Sequence, residues 1–118
     1  MDIWKHGTYV DLWSLVHFLS GCALIGLLSI FGYGLVNSLL YSLLLLIAWE
    51  MFVWLVGIIE PSMNVMVDIL IGFLGCLLAV YVYYVVGVSI TPSLYYSCGL
   101  TLFLAIWGFI DFNKRGYR

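Results

Sequence analysis

The stretch EPSMNVMVDILIGFLGCLLAVYVYYVV, residues 60–86, decides what kind of protein this is. Pro61 suits the first position of a helix and pushes Glu60 out of helical geometry. From there the chain is apolar for longer than the ~20 residues that a helix needs to cross a bilayer. Glu60, Asn64 and Asp68 recur at i, i+4 and i+8 and so climb one helix face, which Gly72, Gly75, Cys76 and Ala79 extend with small side chains. Small residues let a second helix approach closely, and a carboxylate facing lipid is costly, so the stripe is expected to point into a bundle.

The rest of the chain fits that reading. Of 118 residues, 65% are apolar and 8% charged, with a mean hydropathy of +1.16. A soluble domain carries about 25% charged residues. An ordinary water-soluble domain, a disordered chain and a nucleic-acid binder are therefore excluded. Three more apolar runs have spanning length. The first covers about residues 9–31, with Thr8 and Asp11 at capping-box spacing before it and Gly32 and Gly34 breaking it. The second covers 35–56, with Gly57 as a left-handed stop. The fourth covers 92–112, with Thr91 as cap, Pro92 first, and Asp111 and Arg115 placed to pair at i, i+4. Together with 61–86 they predict an all-α, polytopic membrane protein: one four-transmembrane-helix bundle over residues 1–118, with no internal repeat or linker. The start, MDIWKHGTYVD, lacks the basic stretch of a signal peptide, so the first helix is expected to be retained.

The net charge of −2 matters less than its placement. Lys5, Lys114, Arg115 and Arg118 flank the two ends, and between Leu12 and Ile110 only Glu50, Glu60 and Asp68 carry charge. With an even number of spans, the positive-inside rule puts both termini on the cytoplasmic side of the cell membrane. Trp4, Trp13, Trp49, Trp54 and Trp107 then fall in the cytoplasmic half, and Tyr33, Tyr83, Tyr84, Tyr95 and Tyr96 at the opposite interface. The basic tail is chiefly a topology signal, since it falls short of a lipid-binding cluster. Cys22, Cys76 and Cys98 lie singly in apolar runs and read as packing residues rather than a disulfide or zinc-thiolate set. No nucleotide loop, Ser-His-Asp order, H-E-x-x-H or heme-attachment motif is present.

Counting 1.5 Å per residue from the expected cytoplasmic helix ends places His17, Glu50 and Asp68 in one layer roughly 10–12 Å deep. Ser14, His17, Ser20 and Gly21 share a face of the first span that can set against the polar stripe of the third. The second span brings Glu50 between Trp49 and Trp54, whose indole N–H groups are available donors. An acid at mid-helix costs roughly 2.5–3.5 kcal/mol on insertion scales. With no intramembrane Lys or Arg to neutralise them, the acids need a shared proton, a protonated His17, a metal cation or a cationic ligand. His17, Glu50 and Asp68 are the candidate catalytic and metal-ligating residues, and Ser14, Trp49, Glu60 and Asn64 the candidate substrate-binding ones. The residues leave the cofactor open, with a divalent metal cation as the candidate. Plainer roles stand beside these: His17 as a hydrogen-bonded interior histidine, Glu60 as a helix-start residue near a positive dipole end, Asp11 as a cap, and the acids as interhelical glue.

Asp11 ahead of H-F-x-x-G (His17, Phe18, Gly21), the pair Trp49-Glu50, and E-x-x-x-N-x-x-x-D followed by G-x-x-G (Glu60, Asn64, Asp68, Gly72, Gly75) resemble the VanZ-like membrane proteins. These are small helical proteins named for an association with teicoplanin resistance. The resemblance covers roughly residues 11–79, and the fourth span adds no match. It implies that His17, Glu50 and Asp68 are the family's intramembrane polar residues, with a role around envelope lipids or glycopeptide response. Three functions compete. One is a lipid-handling protein, with or without metal-assisted catalysis, in which a phosphate headgroup would require a bound cation. The second is a noncatalytic subunit that docks other transmembrane chains or a second copy of itself. The third is conduction of protons or cations through the acidic layer.

Overall fold

The structure, a computed structural model, describes residues 11–57 and 60–115. It is all-helical, with no strand among the described residues. Helix α1 is Leu12–Ile30, α2 Leu35–Leu55, α3 Ser62–Val80 and α4 Ile90–Arg115. A π-helical segment, Tyr81–Val86, prolongs α3 without a break. All four are long and apolar enough to cross a membrane.

The helix boundaries differ from expectation where capping chemistry competes. Asp11, not Thr8, caps α1: its Oδ1 accepts from the Ser14 N–H at 3.2 Å, and Ser14 Oγ accepts from the Asp11 N–H at 3.2 Å. This reciprocal box satisfies two otherwise orphaned donors and starts α1 at Leu12. Trp4, Lys5, Thr8, Tyr9 and Arg118 lie outside the described residues. Pro61 is the cap of α3 rather than its first residue. Helix α4 begins at Ile90, so Thr91 is not its cap, and Pro92 sits in the first turn, where no intrahelical N–H bond is needed. Gly57 does end α2 as expected, at φ +88°.

The topology is up-down-up-down. Contacts between α1 and α3 ascend together (Ser14 with Asp68, Cys22 with Gly75, Ser29 with Tyr84), so these helices are parallel. His17 meets Glu50, and Trp13 packs edge-on against Phe109 with centroids 5.2 Å apart, so α2 and α4 run antiparallel to α1. Asp11 and Lys114 therefore lie at the same end. Helix α1 packs against all three others, and α4 reaches α2 through Trp49 and Phe109, at 6.3 Å between centroids.

The α1–α3 seam is backbone against backbone. A Cβ on Gly21 would run into the carbonyl oxygen of Gly72, and one on Gly75 into the carbonyl of Phe18. The small-residue face read from the sequence thus forms the seam on α3. The seam is laced by two reciprocal thiol bonds: Cys22 Sγ donates to Gly75 O at 3.2 Å, and Cys76 Sγ to Gly21 O at 3.5 Å. All three cysteines are free thiols. Ser20 departs from expectation. Its hydroxyl bonds back to Val16 O at 2.7 Å, and the residue lines a groove on another side of α1 instead of the α3 seam.

Burial is inverted relative to a water-soluble fold. Ser14, His17, Ser38, Ser42, Glu50, Asn64 and Asp68 are buried, while Val36, Trp54, Leu55, Tyr95 and Tyr96 each expose more than 70% of their surface. In water so much exposed apolar surface would drive association; in hydrocarbon it costs nothing.

Candidate functional site

The site is built from the α1 N-cap upward. The Asp11–Ser14 box fixes the first turn of α1, and the close α1–α3 seam then lays Ser14 against α3, where its Oγ donates to Asp68 Oδ1 at 2.7 Å. One turn earlier on α3, Asn64 Nδ2 donates to Asp11 Oδ2 at 3.1 Å. Asn64 and Asp68 have no solvent exposure. Two helices are thereby pinned by a polar clamp, and Asp68 is held so that its second oxygen turns toward His17.

His17 joins all three helices. Its Nε2 lies 3.1 Å from Glu50 Oε1 on α2 and 3.4 Å from Asp68 Oδ2 on α3. Glu50 is more than nine-tenths buried, and its Oε1, though close to His17, makes no well-angled hydrogen bond. The three ligand-capable atoms lie within 4.8 Å of one another. Ligands held 2.0–2.2 Å from one cation sit about 3–3.5 Å apart in octahedral or tetrahedral geometry, which is the spacing of both His17 contacts. An imidazole and two carboxylates form a hard-to-borderline donor set suited to a divalent ion.

Apolar clusters close the layer on both sides, with Trp13, Val16, Val53 and Phe112 towards the chain ends and Ile25, Leu46, Cys76 and Ala79 beyond. Beside the first of these clusters, Trp13, His17, Trp49, Val53, Glu60, Phe109 and Phe112 line a cavity of about 20 Å³. That is room for about one water molecule.

The expected residues separate by role. The structure brings His17, Glu50 and Asp68 into one centre, although the observed helix ends put them only five or six residues in, a depth of about 8–9 Å. Ser14 and Asn64 serve internal contacts, to Asp68 and Asp11. Glu60 and Trp49 line the cavity beside His17. Trp54 is 72% exposed on the outer face of α2 and does not belong to the site. Asp11 is more than a cap, because its second oxygen receives Asn64. Ser38 and Ser42 share the inner face of α2 with Leu46 and Glu50 at four-residue spacing, a periodicity that is their one signal in the sequence.

Ser14→Ala removes both a cap partner and the Asp68 donor. We expect a loss of about 2–3 kcal/mol in denaturant unfolding in detergent, the sum of a lost cap and a newly unsatisfied buried acceptor. Ser14→Thr, which keeps the hydroxyl, should recover most of it. An alanine variant as stable as the parent would show that the clamp does not hold the helices.

Comparison of the chain with known protein families, with curated proteins and with solved structures finds no match to any of them.

Proposed function

We propose that this chain is a VanZ-like, multi-pass protein of the cell membrane, with both termini cytoplasmic, that binds a divalent cation at His17, Glu50 and Asp68 and through it the headgroup of a lipid in the cytoplasmic leaflet. The observation that carries this reading is the convergence of three buried donor atoms from three helices, with Glu50 Oε1 lacking a hydrogen bond. Two carboxylates at this spacing repel unless a proton or cation lies between them. Lys114 near the Asp11 end supports the orientation, together with the basic residues flanking both ends of the chain. The site's shallow position puts it within reach of a headgroup. A bare pair of carboxylates would reject a phosphate, whereas a bound cation with open positions would accept it.

Conduction is the weaker reading. Ser38 and Ser42 continue the inner face of α2 beyond Glu50, but Leu46, 3% exposed, stands between them and the acids and packs against Gly72. A polar path is interrupted there. The accessory-subunit reading has no observation that favours it over lipid contact, since exposed apolar faces are what either environment requires.

The test is cation binding by the purified protein in detergent, read as manganese bound at equilibrium, followed by retention on phosphatidylglycerol vesicles with and without chelator. One manganese per chain and chelator-sensitive retention are expected. No stoichiometric binding of manganese, magnesium or zinc would overturn the reading.

A further inference from the structure

The inner face of α2 carries a file of buried side chains at four-residue spacing: Ser38, Ser42, Leu46 and Glu50. Each step is about 6 Å along the helix. At the far end of the file, Ser38 Oγ donates to Tyr33 O at 3.4 Å, in the exposed turn that joins α1 to α2. At the near end, Glu50 meets His17, whose other neighbour Asp68 receives Ser14 and so reaches the Asp11 cap. Polar groups therefore run from one end of the bundle to the other, and Leu46 is the one apolar member of the file between Ser38 and Glu50.

The surroundings of Leu46 set it apart from ordinary packing. The polar groups on either side of it are unsatisfied: Glu50 Oε1 makes no well-angled hydrogen bond, and Ser42 Oγ, with no exposure at all, lies beside the Cys76 thiol without a well-placed bond to it. A buried hydroxyl in that state costs about 1–3 kcal/mol. Ser42 also forgoes the bond to the carbonyl four residues back that Ser20 and Ser97 make. What faces Leu46 is backbone. Its two methyl groups lie 2.9 and 3.0 Å from the point where a Cβ on Gly72 would stand, and the carbonyl oxygen of His17 is 3.3 Å from the same point. Gly72 in turn abuts Gly21, so at this contact neither α1 nor α3 supplies a side chain. Trimming Leu46 therefore leaves a cleft edged by carbonyl and hydroxyl oxygens, with room for about two waters at ~30 Å³ each.

We infer that Leu46 is the permeability barrier of this membrane protein: one apolar side chain seated in a glycine notch keeps dry a polar file that otherwise crosses the bundle, and its removal lets water and protons through. A short apolar constriction excludes water by dewetting. A hydroxyl at the same place, in register with Ser38 and Ser42, supplies the missing partner and wets the gap. The inference goes beyond the lipid and cation reading and does not depend on it, because Leu46 lies a full turn beyond Glu50, away from the chain ends. In the parent protein the acidic centre is cut off from the far side of the membrane.

The experiment places the full-length protein in liposomes loaded with a pH-sensitive dye and follows proton entry driven by a potassium diffusion potential. The parent is expected to be as tight as protein-free liposomes. Leu46→Ser, which continues the hydroxyl file, is expected to raise proton flux at least about tenfold, one ~1.4 kcal/mol step off the barrier. Adding Ser42→Ala should take away most of that flux. Leu45→Ser, one residue along and 48% exposed on the outside, should leave the parent rate unchanged. Leu46→Thr gives up less volume and is the second variant where Leu46→Ser does not fold, with monodisperse elution in detergent identifying a folded protein. A conducting parent would overturn the inference, as would a folded Leu46→Ser or Leu46→Thr protein as tight as the parent. Flux that survives Ser42→Ala, or that Leu45→Ser reproduces, would show a general loosening of the bundle and overturn it too. If neither variant folds, Leu46 is required for the fold itself and the barrier role falls. Manganese binding by the parent has no bearing on these outcomes, so the two readings stand or fall separately.

Discussion

Glu50→Gln combined with Asp68→Asn is expected to make the metal-free protein more stable and to abolish manganese binding. The two carboxylates approach one imidazole nitrogen at 3.1 and 3.4 Å in a buried layer flanked by apolar clusters. Without a cation, that arrangement carries desolvation and mutual repulsion, for which one imidazole is a partial remedy. Neutral amides of nearly the same shape remove both costs; well-packed apolar replacements of buried ionic groups gain up to about 1–4 kcal/mol, and the amides, which still require hydrogen-bond partners, are expected to gain the lower part of that range. Thermal unfolding in detergent with chelator present should show the rise, and titration with manganese should stabilise only the parent. The single variants should differ: Asp68→Asn gives up the charge that receives the 2.7 Å Ser14 bond, so more of the gain is expected from Glu50→Gln. A double variant that is less stable than the parent would identify the acids as glue between helices, and retained manganese binding would dismiss the centre.

Two chemically identical substitutions should have opposite effects. Gly21→Ala places a methyl group against the Gly72 carbonyl, part of the α3 backbone that cannot rotate away. The helices must then separate along the seam that aligns Ser14 and His17 with Asp68. Overpacking of this kind costs about 1–3 kcal/mol, and a rigid neighbour puts Gly21 at or above the upper end. The same change should weaken manganese binding, although residue 21 is a full turn from His17. Gly99→Ala is the control. Nothing lies within 4 Å of its Cβ position on the exposed side of α4, so only helix propensity changes, a gain of up to about 1 kcal/mol. Equal effects of the two variants on unfolding would mean that the seam is not tightly packed.

Much of the architecture was legible because a hydrocarbon-length apolar run leaves a chain few choices. Four runs, their glycine stops and the i, i+4, i+8 stripe of Glu60, Asn64 and Asp68 required only helical periodicity and the cost of burying charge. The shared layer of His17, Glu50 and Asp68 was legible too, because depth follows from residue count once the helix ends are roughly known. The helix starts were less so. At the start of α1 the Thr8–Asp11 and Asp11–Ser14 spacings both fit a capping box, and the box that forms, Asp11–Ser14, shares its residues with contacts to α3.

The amino-acid sequence by itself determined the number of helices, their alternating direction and the common level of His17, Glu50 and Asp68, since these follow from hydropathy and a fixed rise per residue. Rotation about each helix axis and the choice of neighbours were decided only in the tertiary structure. Ser20 and Trp54 are next to site residues in the chain yet face a groove and the outside, whereas Asp11 and Asn64, 53 positions apart, share a hydrogen bond. The physical reason is that periodicity specifies which residues share a face, while close approach at Gly21, Gly72 and Gly75 specifies which faces meet.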